Sequence, residues 1–423
     1  MASNQRMAID FTLSPEIEDV RDRVRDFIQH SVRPTEEKGD SAGWGRDEWL
    51  AALGDLRTEA QERGLWLPHM PTEWGGMGLG HVAMATVSAE AGRSRFGPLA
   101  MNAQAPDEGN MHTLLHWGTD AQKEKYLRPM CAGYKVIDGR KRSFRSCFAL
   151  TEPDVAGSDP TLIETSAERE GDDWIINGRK WFITGARGAK VAILIARTSR
   201  DPEVPQAGST AFLVDLPSEG WEIVRDIETM AGSHNHCEIQ ITDLRVPASN
   251  VLGELGHGHL LGQYRLGPAR LAHCMRWIGQ AETALDLMVD RATKRYSHGS
   301  LLADKQGIQW LIAESAIELY QAKLMVLHAA SLIDSKVDFR GEVSMTKHFV
   351  ANSLWRIVDR AVQVHGAMGY STDTPLANLL KQARWARVAD GADEIHLMRA
   401  AERTIDTYRR TGSTAGATGN LPL

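Results

Sequence analysis

The apolar residues of this chain change period twice, and that change limits the folds open to it. From about Phe11 to Tyr126 they recur at three- and four-residue spacing. Between about Arg145 and Val251 they alternate or run in short blocks ("SCFAL", "VAILIART", "EIQITDLRVP"), and from Gly262 to about Arg410 the helical spacing returns. Helices, then strands, then helices contain no βαβ alternation, so a doubly wound nucleotide-binding sheet is excluded. The expected build is a helical domain over residues 1–144, a central antiparallel β-barrel or sandwich over 145–256, and an antiparallel four-helix bundle over 257–411. The small, polar stretch 412–423 reads as a disordered tail. With 423 residues, 42% of them hydrophobic, the chain can bury the separate cores this requires.

Local signals refine the outline. In "SPEIEDVRDRVRDFIQHSV", Ser14 stands at an N-cap and Pro15 at the first helical position, with Ile17, Val20, Val24, Phe27 and Ile28 on one face. The Gly-Pro of "RSRFGPLAMN" reads as a stop. In "DWIINGRKWFIT", Asn177-Gly178 between two β-forming runs predicts a tight hairpin, and alternation puts one of Trp181 and Phe182 into the core.

Charge and cysteine usage narrow the function classes. A formal charge of -7 with dispersed Lys and Arg leaves no basic stripe, so no nucleic-acid partner is expected. No run of about 18 apolar residues and no leader pattern is visible, which predicts a protein without a membrane span, cytoplasmic in a bacterium. The four cysteines lie far apart without a CxxC pair, so they are expected to be reduced and no metal site is expected.

Two segments carry chemistry. "FALTEPDVAGSDP", Phe148 to Pro160, runs into small and hydroxyl-bearing residues whose backbone N–H groups could approach a phosphate or a polarised ring edge, although an ordinary connection has the same composition. "RVADGADEIH", Arg387 to His396, sets three acids around one glycine between helical stretches: a solvated connection, or a place where a carboxylate removes a proton. "TEPDVAGSD" followed by "INGRKWFIT" resembles the signature segments of the acyl-CoA dehydrogenase family, and "RLGPAR", "ATKRYSHGSLLADKQ", "AVQVHGAMGY" and "RVADGADEIH" follow in that family's order. The resemblance implies a homotetrameric flavoprotein, a dimer of dimers, with FAD between the β-domain and the bundle. Its implied reaction is desaturation of an acyl-CoA thioester in fatty acid β-oxidation, with electrons passing to an electron-transferring flavoprotein.

Carried over by position, the resemblance implies that Thr151 lies by the flavin ring and Ser158 on phosphates of the cofactor or of CoA. Phe182 would cover a ring face, with Ile183 and Thr184 at the N5 region. Arg295, Ser297 and Gln306 would reach the FAD of a neighbouring subunit; Gln363, Gly366 and Ala367 would pass along its adenosine portion, and Ala392 and Glu394 would come near the cofactor from the last helix. Asp390 would be the catalytic base and Gly391 would adjoin the thioester. Arg270 would tune the base and hold its loop. Burial beside flavin and thioester would raise the Asp390 pKa towards the operating pH. Three departures stand out: Asp where many members have Glu, Gly267 where an Asp often contacts CoA, and His298 where an aromatic is usual. Asp393 and Glu394 fall in the first turn of a helix, where acids complement the dipole. Nitroalkane oxidases resemble the same family and also use an Asp base, which makes a flavin oxidase one alternative; a weakly active subunit of a heteromeric dehydrogenase is the other.

Overall fold

The N-terminal segment folds as its spacing predicts. The computed structural model describes residues 11–199 and 208–419, the side chains of residues 234 and 235 excepted. Helix α1 (Pro15–Phe27) starts behind an extended Ser14 and turns Val20, Val24 and Phe27 inward. A ten-residue helix, Arg33–Ala42, comes next, and beyond it lie the helices α2 (Arg46–Glu62), α3 (His81–Gly92) and α4 (Asp107–Trp117). Gly97-Pro98 opens a short helical turn, Gly97–Ala100, instead of stopping one, because proline needs no N–H partner in a first turn. An exposed hairpin of β1 (Tyr134–Ile137) and β2 (Arg140–Ser143) also lies within the stretch read as helical.

The central domain is an antiparallel-rich sheet. Its strands are β3 (Ser146–Ala149), β4 (Ser166–Glu170), β5 (Asp173–Thr184), β6 (Val191–Arg197), β7 (Ser209–Asp215), β8 (Trp221–Thr229), β9 (Gly232–Pro247) and β10 (Val251–Leu252). They lie in the order β10-β7-β6-β4-β5-β9-β8, with β3 running parallel to β6. Val191, Ile193 and Ile195 pack with Met111, Leu114 and Leu127 of the helical domain, while Ala192, Leu194 and Ala196 pack with Trp174, Ile176 and Ile239 within the sheet's other core. Burial on both faces explains why β6 reads as an unbroken apolar run.

The expected hairpin at Asn177-Gly178 does not form. The two-residue turn is Gly171-Asp172, where Glu170 pairs with Asp173 and Gly171 has φ +62°. β5 runs on through 177 and 178 with a register shift against β9. Gly178 is required for a different reason: a Cβ there would lie 2.7 Å from the Thr165 Cα. Asn177 Nδ2 donates to Asp243 Oδ1 at 3.1 Å, and its Oδ1 accepts from the Asp243 N–H at 2.8 Å. A second shift, between Lys180 and Ile183, breaks the alternation, so neither Trp181 nor Phe182 enters the core; Phe182 is 44% exposed and Lys180 is buried in their place.

The C-terminal helices are α5 (Gly258–Lys294), α6 (Gln306–Asp334), α7 (Arg340–His365), α8 (Leu376–Ala386) and α9 (Asp393–Thr411). The short α8 adds to the four helices expected. α3 docks on α5 where Gly92 and Gly279 meet backbone, a Cβ at either position overlapping a carbonyl of the opposite helix. Residues 412–419, expected as part of a disordered tail, turn back instead: Ala417 is buried and Arg403 Nη2 donates to the Gly416 carbonyl at 3.4 Å. Residues 420–423 lie outside the described residues. Among the described residues no helix is long and apolar enough to cross a membrane. The four cysteines are buried and unbridged.

Candidate active site

The chain leaves α8 at Ala386 and enters α9 at Asp393, and the six residues between them form the site's centre. Asp390 has φ +53° and Gly391 φ +106°, a left-handed pair that a non-glycine residue adopts at a cost of about 1–3 kcal/mol. A Cβ on Gly391 would lie 2.8 Å from His396 Nε2, so glycine is needed for space as well as for φ. Cations from two helices hold the turn: Arg270 Nε of α5 donates to the Asp390 carbonyl at 2.8 Å, and Lys347 Nζ of α7 to the Gly391 carbonyl at 2.6 Å. Asp393 and Glu394 open the first turn of α9, as their place in the sequence predicts. Asp393 is buried, and Arg387 Nε donates to its Oδ2 at 2.7 Å, whereas Glu394 is exposed.

The Asp390 carboxylate is a quarter exposed, with Oδ2 3.1 Å from His273 Nε2. Burial raises its pKa, but His273, Arg265 and Arg270 together outweigh burial and hold it below the usual carboxylate range. The rise expected from desolvation is therefore overcome, because the same burial that would protonate the acid has gathered positive and donor groups around it. Burial pushes the pKa of Arg265, Arg270 and Lys347 down. Arg265 Nε donates to Asn110 Oδ1 at 2.8 Å, and its guanidinium sits 4.1 Å from the centre of the Phe148 ring, at the strand that leads into "TEPDVAGS". The site thus joins all three domains through one arginine.

On the β-domain side, Thr151 Oγ1 donates to the Trp181 carbonyl at 2.7 Å, and Trp181 N–H returns a bond to the Thr151 carbonyl at 3.0 Å. That hydroxyl ties its loop to β5 beside Phe182, which stands out from the sheet with φ +54°. Ile183 is buried, which leaves only its backbone for a ligand; Thr184 Oγ1 lies 2.9 Å from His236 Nδ1, and Ser158 is exposed. At the far end of the bundle Arg291, Arg295, Ser297, Gln363, Gly366 and Ala367 line one cleft. No carboxylate lines it, and Arg291 Nε is buried without a partner there, so its donor set fits an anionic group such as a diphosphate. Gln306, exposed at the start of α6, does not line that cleft, and neither does Asp390. Gly267 explains its own departure: a Cβ there would press on the Phe339 ring at 3.2 Å.

Sequence reasoning missed Arg265, His273, Arg276 and Lys347. One signal was present, since Arg270, His273 and Trp277 follow at three- and four-residue spacing on α5.

A helical domain, an antiparallel-rich sheet and a helical bundle meeting at an acid near the C-terminus define a class of three-domain proteins, and the comparisons say which. Residues 14–134 match the family description "Acyl-CoA dehydrogenase, N-terminal domain", 147–244 the middle domain and 256–405 the C-terminal domain. A Mycobacterium tuberculosis protein described as "Probable acyl-CoA dehydrogenase FadE2" is 38% identical over 96% of this chain and 100% of its own length. Human "Acyl-CoA dehydrogenase family member 11" is 36% identical over 89% of the chain, which spans only 48% of that longer protein. Among solved structures, one from Mycobacterium abscessus provisionally named an acyl-CoA dehydrogenase superposes with a TM-score of 0.86 at 34% identity, covering 94% of this chain and 100% of that one. Butyryl-CoA dehydrogenase from Megasphaera elsdenii gives 0.81 at 26%, covering 94% and 100%. The chain belongs to the acyl-CoA dehydrogenase family, and with it to the oxidoreductases that act on CH–CH donors.

Proposed function

We propose that this chain is an FAD-dependent acyl-CoA dehydrogenase that converts an acyl-CoA thioester to its trans-2-enoyl-CoA. The observation that carries the reading is Asp390, held at its backbone by Arg270 and facing His273 with its carboxylate at the meeting point of the three domains. Thr151, Phe182 and Thr184 would hold the flavin end of one FAD, and Arg295, Ser297 and Gln363 the adenosine and diphosphate end of the FAD of a neighbouring subunit. FAD, when bound, supplies the acceptor for the hydride that leaves the β-carbon.

The chain's own residues handle the proton. Asp390 takes the hydrogen from the α-carbon as a general base, and the C–H electron pair moves into the thioester carbonyl. The N–H of Gly391, beside the base, would donate to the carbonyl oxygen as charge develops on it. An aspartate is one bond shorter than the glutamate many relatives carry, so the reacting carbon must come closer by roughly 1.5 Å or the turn must deliver the acid. Its left-handed backbone and the cations gripping both carbonyls are how this turn aims a short side chain.

Anaerobic mixing of the purified yellow protein with a panel of acyl-CoAs tests the proposal. Bleaching by at least one of them, with stoichiometric enoyl-CoA and re-oxidation by an electron-transferring flavoprotein, is the expected result. No bleaching across straight, branched and ring-bearing chains contradicts it. Hydrogen peroxide release at full turnover without an acceptor protein would make it an oxidase.

A further inference from the structure

His273 meets the Asp390 carboxylate, and neither the family resemblance nor the relatives' names give it a role. Its two ring nitrogens have different neighbours. Nε2 lies 3.1 Å from Asp390 Oδ2, and Nδ1 lies 3.3 Å from Arg276 Nη2. Arg276 is buried and cannot turn away, because its Nη1 donates to Glu108 Oε2 at 2.8 Å and to the Ala103 carbonyl at 3.1 Å. A guanidinium carries donors only, so His273 Nδ1 must accept, and the ring hydrogen then sits on Nε2, facing Asp390. The Nε2 hydrogen is therefore directed at the carboxylate. Its plane is fixed as well, stacked on Trp277 at 5.5 Å and meeting Trp385 edge-on at 5.4 Å.

We propose that His273 is a positioning residue for Asp390: it holds Oδ2 and leaves Oδ1 to take the α-proton of the substrate. The inference rests on the reading of Asp390 as the base. The step balances simply: the α-carbon–hydrogen bond breaks, its electron pair enters the thioester carbonyl, and the proton ends on Oδ1 while His273 keeps its own. An arginine placed directly on Oδ2 would depress the carboxylate's basicity further, and Arg270 spends its Nε on the backbone carbonyl instead. At 3.1 Å the pair is within hydrogen-bond reach.

The test compares FAD-loaded His273→Asn and His273→Gln with the unsubstituted enzyme and with Asp390→Asn. An Asn amide can still accept from Arg276 but is too short to reach Oδ2; a Gln amide N–H can reach it. Flavin reduction is followed anaerobically with an acyl-CoA that bleaches the unsubstituted enzyme, using normal and α-deuterated substrate, and the dissociation constant of acyl-CoA is measured alongside. His273→Asn should slow reduction by about 10–100-fold at an unchanged dissociation constant, with a larger α-deuterium isotope effect. His273→Gln should recover most of the rate. Normal reduction and an unchanged isotope effect in His273→Asn, or equal slowing in both variants, overturns the proposal. Should His273→Asn fail to fold, a slow His273→Gln likewise overturns it and a fast one supports it. Normal bleaching in Asp390→Asn would overturn the base itself, which is a separate result.

Discussion

Two buried ionic clusters in this protein are built to opposite standards. In the β-domain Lys180 Nζ donates to Glu152 Oε1 at 2.7 Å and to the Leu150 carbonyl at 2.9 Å, while Glu152 also accepts from the N–H groups of Glu164 at 2.7 Å and Thr165 at 3.0 Å. Burial lowers the Lys180 pKa to about 8 even though Glu152 pulls it up. Both charges of that pair are met by hydrogen-bonded partners. Around Asp390 the accounting is open: Asp393 Oδ1 and both nitrogens of His396 are buried without an aligned hydrogen bond, and Asp390 and Gly391 carry left-handed backbone. The first cluster pins the "TEPDVAGSD" loop to β5. The second stores unsatisfied polarity and strain where the proposed chemistry needs a ligand, the pattern expected of a working site.

The largest effect should come from breaking the closed cluster. Lys180→Met leaves Glu152 buried without its cation and should cost about 3–5 kcal/mol in urea unfolding, whereas Lys180→Met with Glu152→Leu should recover most of it. Equal losses in single and double variants would erase the contrast.

Acid should find the open cluster next. Burial, Lys347 and Arg270 lower the His396 pKa to about 4. A group depressed below the ordinary 6.5 stays neutral in the folded protein and takes up a proton on unfolding once the pH drops below that value. Its contribution to stability is thus full above about pH 6.5 and falls towards pH 4, by roughly 1.4 kcal/mol per pH unit. Denaturation midpoints measured across that range check the slope, and His396→Leu should flatten it.

Gly391→Ala should be milder, destabilising by about 1–3 kcal/mol through φ and the His396 contact while slowing flavin reduction more than it lowers stability. Smallest of all, His396→Leu above pH 7 should be neutral or stabilise by up to about 1 kcal/mol, because it removes buried groups that lack partners. A clear loss there would mean that His396 is bonded as fully as Lys180.

How much was legible follows from the same contrast. The change of period announced the three domains, and Asp390-Gly391 announced the turn before α9, because local residue types suffice for both. Asn177-Gly178 misled because glycine answers two demands, positive φ in a hairpin and close approach in a strand, and only the position of Thr165 decides between them. Trp181 and Phe182 misled because alternation assumes an unbroken ladder, and the shift at 180–183 breaks it. His273 and Arg276 stayed hidden because their work is done across the chain on Asp390 and Glu108, and no spacing in one sequence states which distant acid a helix face will meet.

The most direct measurement is rapid anaerobic reduction of FAD-loaded Asp390→Asn by an acyl-CoA that bleaches the unsubstituted enzyme. The variant should fold, stay yellow and bind the thioester, with reduction slowed by about 10²–10⁴-fold or more. Bleaching at the unsubstituted rate would remove Asp390 from the chemistry.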